Sequence, residues 1–225
     1  MLYPDFMNFS LEITVKTDLS VLPKVKDIYI TMLPGDDFRK VSNVAKELVQ
    51  SGFNPVPHFP ARSIKNLAEL KDFVIRCRDG GAKQVLVIGG SAQPIGDFHS
   101  SLQLLETGLF EGFKIGIAGH PEGSPDISDT DLEKAMIDKK SYADYIVTQW
   151  SLNAGLISDF ISKQTLPVHV GIIGPLKITS LLKFANIVGA KNSINFLKSN
   201  ATKAVDLLKP RDPNDIIEKL KGTTN

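Results

Sequence analysis

The sequence predicts an α/β fold of the (β/α)8 TIM-type barrel class, with a single barrel domain over residues 1–225. Seven short apolar runs each end in glycine or polar residues, and segments between them have the periodicity of amphipathic helices. This alternation indicates parallel strands, because each helix connects two neighbouring strands. An open doubly wound sheet also fits the alternation. Polar residues at nearly every strand end favour the barrel, and so does the absence of a GxGxxG motif after the first strand.

The predicted strands lie at regular intervals along the chain. They are Ser10–Thr14, Ile28–Thr31, Pro55–His58, Val85–Ser91, Phe113–Gly116 continuing into Ile117–Gly123, Tyr145–Gln149 and Val168–Gly171. A barrel needs eight strands, and none is found after the last helix. We therefore expect an unconventional closure or a C-terminally shortened chain. The first and seventh strands would then face a gap, so we expect this chain to be less stable and more association-prone than a version extended by one strand and helix.

Helices are predicted from apolar residues at positions i, i+3, i+4 and i+7. The stripes are Val41–Val49 closed by Gly52, Leu67–Cys77 closed by Gly80-Gly81, Leu181–Val188 closed by Gly189, Ile194–Leu208, and a last helix containing Ile216, Ile217 and Leu220. Asp212-Pro213 places a capping carboxylate before a proline at the first helical position of that last helix.

Composition excludes several classes of protein. With 42% hydrophobic residues, the 225-residue chain can bury one substantial core. Its 26 basic and 25 acidic residues are mixed along the sequence, which argues against a nucleic-acid partner. No apolar segment approaches the roughly 20 residues of a membrane span, and the N-terminus has no secretory signal pattern. The lone Cys77 excludes an internal disulfide and is expected to be packed and inert. We predict a cytoplasmic protein.

Two residues near the ends of the first and third predicted strands are candidates for chemistry. Glu12 lies inside an apolar strand, where a carboxylate is costly to bury unless it is paired. It is interpreted as a functional acid with a raised pKa, or as a salt-bridged structural group with Lys16 as the nearest partner. His58 lies among prolines beside Arg62, which suits rigid contact with an anion or cofactor, and a hydrogen-bonded structural histidine is the alternative.

Later strand ends carry further candidates. His120 and Glu122 flank Pro121, and no third ligand with metal-site spacing accompanies them, so no metal site is predicted. Gly89-Gly90-Ser91 lets a ligand approach the backbone. Thr148-Gln149-Trp150 offers an amide suited to a polar heterocycle and an indole as a stacking wall. His169 lies within a strand and is interpreted as structural.

Taken in order, these motifs resemble the methylenetetrahydrofolate reductase family of flavin-dependent barrels. The resemblance extends from about Phe9 to Leu220. It depends on Ser10-Leu11-Glu12, Pro57-His58, Ala118–Gly123, Val147-Thr148-Gln149 and Lys183-Phe184-Ala185. It implies reduction of 5,10-methylenetetrahydrofolate to 5-methyltetrahydrofolate, with FAD as cofactor, NADH or NADPH as electron donor and a reduced folate as substrate. We also expect a homo-oligomer.

The resemblance also implies a role for individual residues. Glu12 would be the general acid that opens the folate imidazolidine ring. Gln149, Phe184 and Ser91 would contact the substrate, Ser91 at a position where the family usually has aspartate. The FAD-lining positions would be Thr31, His58, Gly89, Gly90, Ala118, His120, Asp131 and Lys139.

Three departures from the family pattern leave other functions open. Ser91 replaces the aspartate, Ser124 stands where the family often has histidine, and the final strand is absent. Loss of a charge near the flavin should alter its potential. The alternatives are a folate-linked one-carbon enzyme of the same barrel without FAD, and a non-catalytic folate-binding or accessory relative.

Overall fold

The strands of the fold are parallel and follow one another in chain order. They are β1 (Leu11–Thr14), β2 (Asp27–Thr31), β3 (Asn54–Pro60), β4 (Gln84–Ile88), β5 (Lys114–Gly119), β6 (Tyr145–Thr148) and β7 (Val168–His169). The computed structural model describes residues 9–124, 127–176, 179, 182 and 212–223. Every described strand pair whose register is defined is parallel. All seven predicted strands are confirmed.

The fold is therefore an α/β fold whose strand order is that of a TIM-type barrel. Within the described ranges there is no eighth strand, so the complete eight-stranded barrel stays a prediction. By its contacts the chain divides into two units, Met1–Gly116 and Ile117–Asn225, with the boundary inside β5. The assignment of residues 1–225 to one domain also stays a prediction.

In the first unit, β1 to β4 are held in register by backbone pairing. Leu11 lies opposite Ile28, and Ile28 lies opposite Pro55. Pairing with β4 begins only at His58, opposite Leu86. Proline has no N–H to donate, so Pro55 and Pro57 suit the part of β3 that precedes this pairing.

An aromatic cluster forms the core of the first unit. The ring of Phe59 on β3 stacks on Phe73, with centroids 4.0 Å apart and an interplanar angle of 26°. Phe110 meets Phe59 edge-on at 5.1 Å, and Phe38 lies 5.3 Å from Phe73. Each of these side chains is almost fully buried. Large buried rings contribute strongly to core stability, so this cluster fixes β3 against the helices that follow β2 and β3.

Helices α1 (Phe38–Gln50) and α2 (Leu67–Asp79) lie where the apolar stripes predict them. The carboxylate of Asp37 caps α1 by accepting from the Arg39 amide, and the Asn66 side chain caps α2 through the Glu69 amide. Cys77 is fully buried on α2, and burial raises the pKa of its thiol. The prediction of a packed thiol is confirmed.

The sequence does not predict three helices that the structure contains. They are α3 (Ser101–Leu105), α4 (Asp129–Lys140) and α5 (Ala154–Ser162). In α4 most side chains are polar and exposed, so no apolar stripe marks it, and it starts at a capping Ser128 that bonds the Asp131 amide at 3.2 Å. The predicted helices over Leu181–Val188 and Ile194–Leu208 lie outside the described residues.

In the second unit, α5 packs against the last helix, α6 (Asn214–Leu220). Ile157 and Ile161 of α5 form a buried cluster with Ile216 of α6, and Val168 of β7 packs against it. The Asp212 carboxylate, one residue before the capping position of α6, accepts from the Asn214 amide at 2.9 Å. The predicted last helix is confirmed, but it begins at Asn214, one residue later than predicted, so Pro213 and not Asp212 occupies the capping position.

The described helices include none that combines the length and apolar character needed to cross a lipid bilayer. Location in the cytoplasm and homo-oligomerisation stay predictions, and so does association through the edges of β1 and β7.

Candidate functional site

Strands β1 and β2 bring a carboxylate and a hydroxyl together. Glu12 lies opposite Tyr29 in the parallel register, and Thr31 follows two residues later on the same strand. The Thr31 hydroxyl donates a 2.6 Å hydrogen bond to Oε1 of Glu12. The sequence could not supply this pair, because the two residues meet only when the register of β1 on β2 is known.

Glu12 is exposed, and the predicted burial of its carboxylate is wrong. Along β1 the buried residue is Ile13, at 4% exposure, and Glu12 lies on the opposite face. The alternation of Leu11, Glu12 and Ile13 predicted two faces correctly, but it cannot tell which face is covered. An exposed carboxylate held by one hydroxyl is open to a ligand. The predicted partner Lys16 forms no ion pair with it among the described residues.

His58 on β3 lies near Glu12. The residue is 4% exposed, and neither ring nitrogen has a hydrogen-bond partner among the described residues. Burial lowers the pKa of His58, and the charge of Glu12 opposes that shift. The Tyr29 ring meets the imidazole edge-on, with centroids 6.0 Å apart. His58 is therefore a neutral imidazole at pH 7, close enough to Glu12 to sense its charge.

The loop after β4 is fixed to the end of β3 by Arg62. The Arg62 amide donates to the Gly89 carbonyl at 3.0 Å, and its guanidinium donates to the Gly90 carbonyl at 3.4 Å. Gly90 has a φ of +86°, and a Cβ there would lie 3.1 Å from Cβ of Pro60, so glycine is required. No atom lies within 4 Å of a Cβ placed on Gly89, and Ser91 is exposed. The loop therefore presents open backbone at this edge.

In the second unit, His120 and Lys139 form a cluster of two basic groups. His120 follows β5, and Lys139 lies near the end of α4 with only 8% exposure. Burial, and then the nearby charge of Lys139, lower the pKa of His120 to about 4. Burial also lowers the pKa of Lys139, which forms no ion pair with a described carboxylate. The cluster is a buried ammonium beside a neutral imidazole.

The remaining predicted positions of the second unit surround strand ends. Glu122 is buried and accepts a 2.5 Å hydrogen bond from the Ser151 hydroxyl, a partner that the sequence did not reveal. The backbone N–H of Gln149 donates to the Gly119 carbonyl at 2.9 Å. Ala118, the residue before Gly119, is half-buried.

Two further predicted contact residues, Asp131 and Phe184, stay predictions. Asp131 is exposed, and its carboxylate accepts from the Ser128 hydroxyl at 2.7 Å, a helix-cap contact. Phe184 lies outside the described residues. The described chain also holds no group of three or more side chains placed to bind a metal ion, an observation that does not test the prediction of no metal site.

No protein-family model matches the chain. Two solved structures from Burkholderia cenocepacia J2315 are similar to it. One is described as a "putative lyase/mutase", at 12% identity over 82% of this chain and 83% of that chain, with a TM-score of 0.53. The other is described as a "putative phosphonomutase", at 11% identity over 73% and 76%, with a TM-score of 0.49. At such identities the likeness shows the fold alone.

These comparisons contradict the family and activity that the motifs predicted. No family model supports the predicted family, and the similar structure with a TM-score of 0.53 is described as a lyase/mutase and not as a flavin-dependent folate reductase. The prediction of a methylenetetrahydrofolate reductase is therefore wrong, and the two alternative folate functions receive no support either. Short motifs at strand ends occur wherever a parallel barrel builds a site, so their order predicted the fold and not the family. FAD, NADH or NADPH and a reduced folate partner are tested by no observation here.

Proposed function

We propose that this chain is an acid–base enzyme of the lyase or mutase type, with Glu12 as the residue that transfers protons. The observation that carries the proposal is the exposed Glu12 carboxylate, which accepts a hydrogen bond from the Thr31 hydroxyl and lies near the buried His58. Thr31 is the last residue of β2 and His58 lies two residues before the end of β3, so both are near the C-terminal strand ends, the edge at which enzymes of the barrel class bind substrates. The descriptions of the similar folds support the reaction class.

Each side chain has a distinct part in proton transfer. The Glu12 carboxylate is accessible, so it can take a proton from carbon next to a substrate carbonyl, and the electron pair passes to the carbonyl oxygen as an enolate. In a lyase reaction the enolate expels a leaving group from the neighbouring carbon, a carbon–carbon double bond forms, and the leaving group takes the proton from Glu12. In a mutase reaction the expelled group adds back at the other carbon of that double bond, and the proton adds to the carbon that the group left. The Thr31 hydroxyl fixes the direction of the carboxylate. His58 stays uncharged because burial lowers its pKa, so it does not form an ion pair that would occupy Glu12.

The experiment measures turnover of a defined substrate panel by ¹H and ³¹P NMR. The panel contains hydroxy-dicarboxylates and 2-oxo acids that carry a carboxylate or phosphonate on carbon 3. We expect turnover of at least one compound, and a loss of about 10²- to 10⁴-fold in Glu12→Gln. Glu47→Gln, an exposed carboxylate on α1, is the matched control and should keep full activity. Absence of turnover by the wild-type chain across the panel, or equal rates in Glu12→Gln, contradicts the proposal.

His58 is tested as a positioning residue. His58→Asn should lower turnover and move the pH at which activity is half-maximal, because it changes the side chain that lies close to Glu12. Lowered turnover with an unchanged pH profile would indicate a packing role only.

A further inference from the structure

Arg62 is anchored at the strand-end edge of the first unit by neutral groups only. It lies in a single 3-10 turn (Ala61–Ser63) directly after β3. Its Nε donates to the His99 carbonyl at 3.2 Å, and its Nη1 donates to the Gly90 carbonyl at 3.4 Å. These bonds fix the plane of the guanidinium against the loop after β4. Nη2 donates to no group of the described chain.

The charge of Arg62 has no counter-charge within the described residues. The side chain is half-buried, and it belongs to none of the described ion pairs. Arg39 and Arg76 differ, because both reach the carboxylate of Asp72. A guanidinium stays protonated at all ordinary pH values, so a partly desolvated one is stabilised by an anion.

Arg78 provides an internal comparison. It also binds backbone carbonyls, those of Leu109 and Glu111, both at 3.0 Å through Nη2. Its guanidinium further lies over the Phe113 ring, 5.0 Å from the centroid. Arg78 thus resembles Arg62 in its neutral hydrogen-bond partners, but it lies in the last turn of α2 and not after a strand.

Space and position at Arg62 suit a small ligand. A Cβ at Gly89 would meet no atom within 4 Å, so the backbone beside the guanidinium is open. Arg62 follows His58 by four residues, which is about 10 Å between the two Cα atoms for two strand steps and two 3-10 steps. Arg62 therefore lies just beyond the strand that carries His58, the residue close to Glu12.

We propose that Arg62 binds an oxyanion of the substrate, a carboxylate or a phosphonate, through Nη2. This inference rests on the proposed function and adds the substrate class to it. A planar guanidinium with a free N–H edge matches the oxygens of such groups, and the anchors to Gly90 and His99 hold that edge in place before the ligand arrives. Lysine cannot reproduce the planar geometry, so Arg62→Lys is not a conservative change here.

The test follows the Nε–H signals of ¹⁵N-arginine-labelled protein, assigned with Arg62→Lys and Arg78→Lys. Malonate and inorganic phosphate are titrated separately, with sodium chloride at matched ionic strength as the control. We expect the Arg62 signal to shift saturably with at least one of the two anions while the Arg78 signal does not move. A shift with malonate alone indicates that Arg62 binds a carboxylate, and a shift with phosphate alone indicates that it binds a phosphonate-type group. In Arg62→Lys, the dissociation constant for the anion, followed through the Gly90 amide signal, should rise at least about tenfold.

The outcomes separate this inference from the proposed function. No saturable shift at Arg62 with either anion, or the same shift at Arg78, overturns the oxyanion site. If Arg62 binds an anion but Glu12→Gln leaves turnover unchanged, the oxyanion site stands and the proposed acid–base role fails. If turnover depends on Glu12 while Arg62→Lys keeps the wild-type KM and melting temperature, the acid–base role stands and the oxyanion site is refuted.

Discussion

His120 should make the protein sensitive to acid by an amount that can be worked from its pKa. The native pKa is lowered from 6.5 to about 4, by burial and then by Lys139. The folded state therefore binds fewer protons than the unfolded state between these values, and stability is full above pH 6.5 and falls as pH decreases toward 4. From pH 7.5 to pH 5 the loss is about 2 kcal/mol, within a ceiling of about 3 kcal/mol for the whole shift.

Urea unfolding of wild type and His120→Gln at pH 7.5 and pH 5 measures this loss. Glutamine cannot take up the proton, so the variant should lose about 2 kcal/mol less than the wild type between the two pH values. His99 is exposed, so His99→Gln is the control and should lose as much stability as the wild type between the two pH values. Lys139→Met should reduce the acid loss, because removing the ammonium takes away the second cause of the lowered pKa. Equal losses in wild type and His120→Gln would refute the reasoning.

Two further predictions concern packing. Gly119→Ala places a Cβ 2.7 Å from Cγ2 of Ile146 and 2.7 Å from Cζ of Phe160, so it should cost about 1–3 kcal/mol in urea unfolding. Gly174→Ala is the control, because a Cβ there would have no atom within 4 Å, and it should change stability by less than about 0.5 kcal/mol. Equal effects of the two substitutions would contradict the packing around Gly119. Cys77 should react with Ellman's reagent at least about a hundredfold more slowly in the native protein than in guanidinium chloride, because it is fully buried. Rapid labelling of native protein would show that α2 opens.

The strands were predictable because their signal is local. β4 reads as the continuous apolar run of a buried parallel strand, and glycines mark its end. Helix α2 was equally clear from the stripe through Leu70, Val74 and Cys77. Helix α4 gave no such signal, since it is polar on most of its surface, and only its Ser128 cap could have indicated it.

The candidate site was predictable as a set of positions and not as a set of partners. Glu12, Thr31 and His58 were all singled out, but the bond from Thr31 to Glu12 joins residues 19 apart and depends on strand register. The exposure of Glu12 depends on which face other segments cover, which alternation does not encode. The free edge of Arg62 could be seen only once its carbonyl partners were known.

The central claim is that Glu12 transfers protons at carbon, and hydrogen–deuterium exchange of pyruvate measures this directly. Removal of a methyl proton by the Glu12 carboxylate gives the enolate, and in D₂O the returning hydrogen is deuterium, which ¹H NMR detects as loss of the methyl signal. We predict catalysed exchange by the wild-type chain and by Glu47→Gln, at least about a hundredfold slower exchange in Glu12→Gln, and partial exchange in Glu12→Asp. Exchange at the uncatalysed rate with wild type, or at equal rates in wild type and Glu12→Gln, would contradict the account.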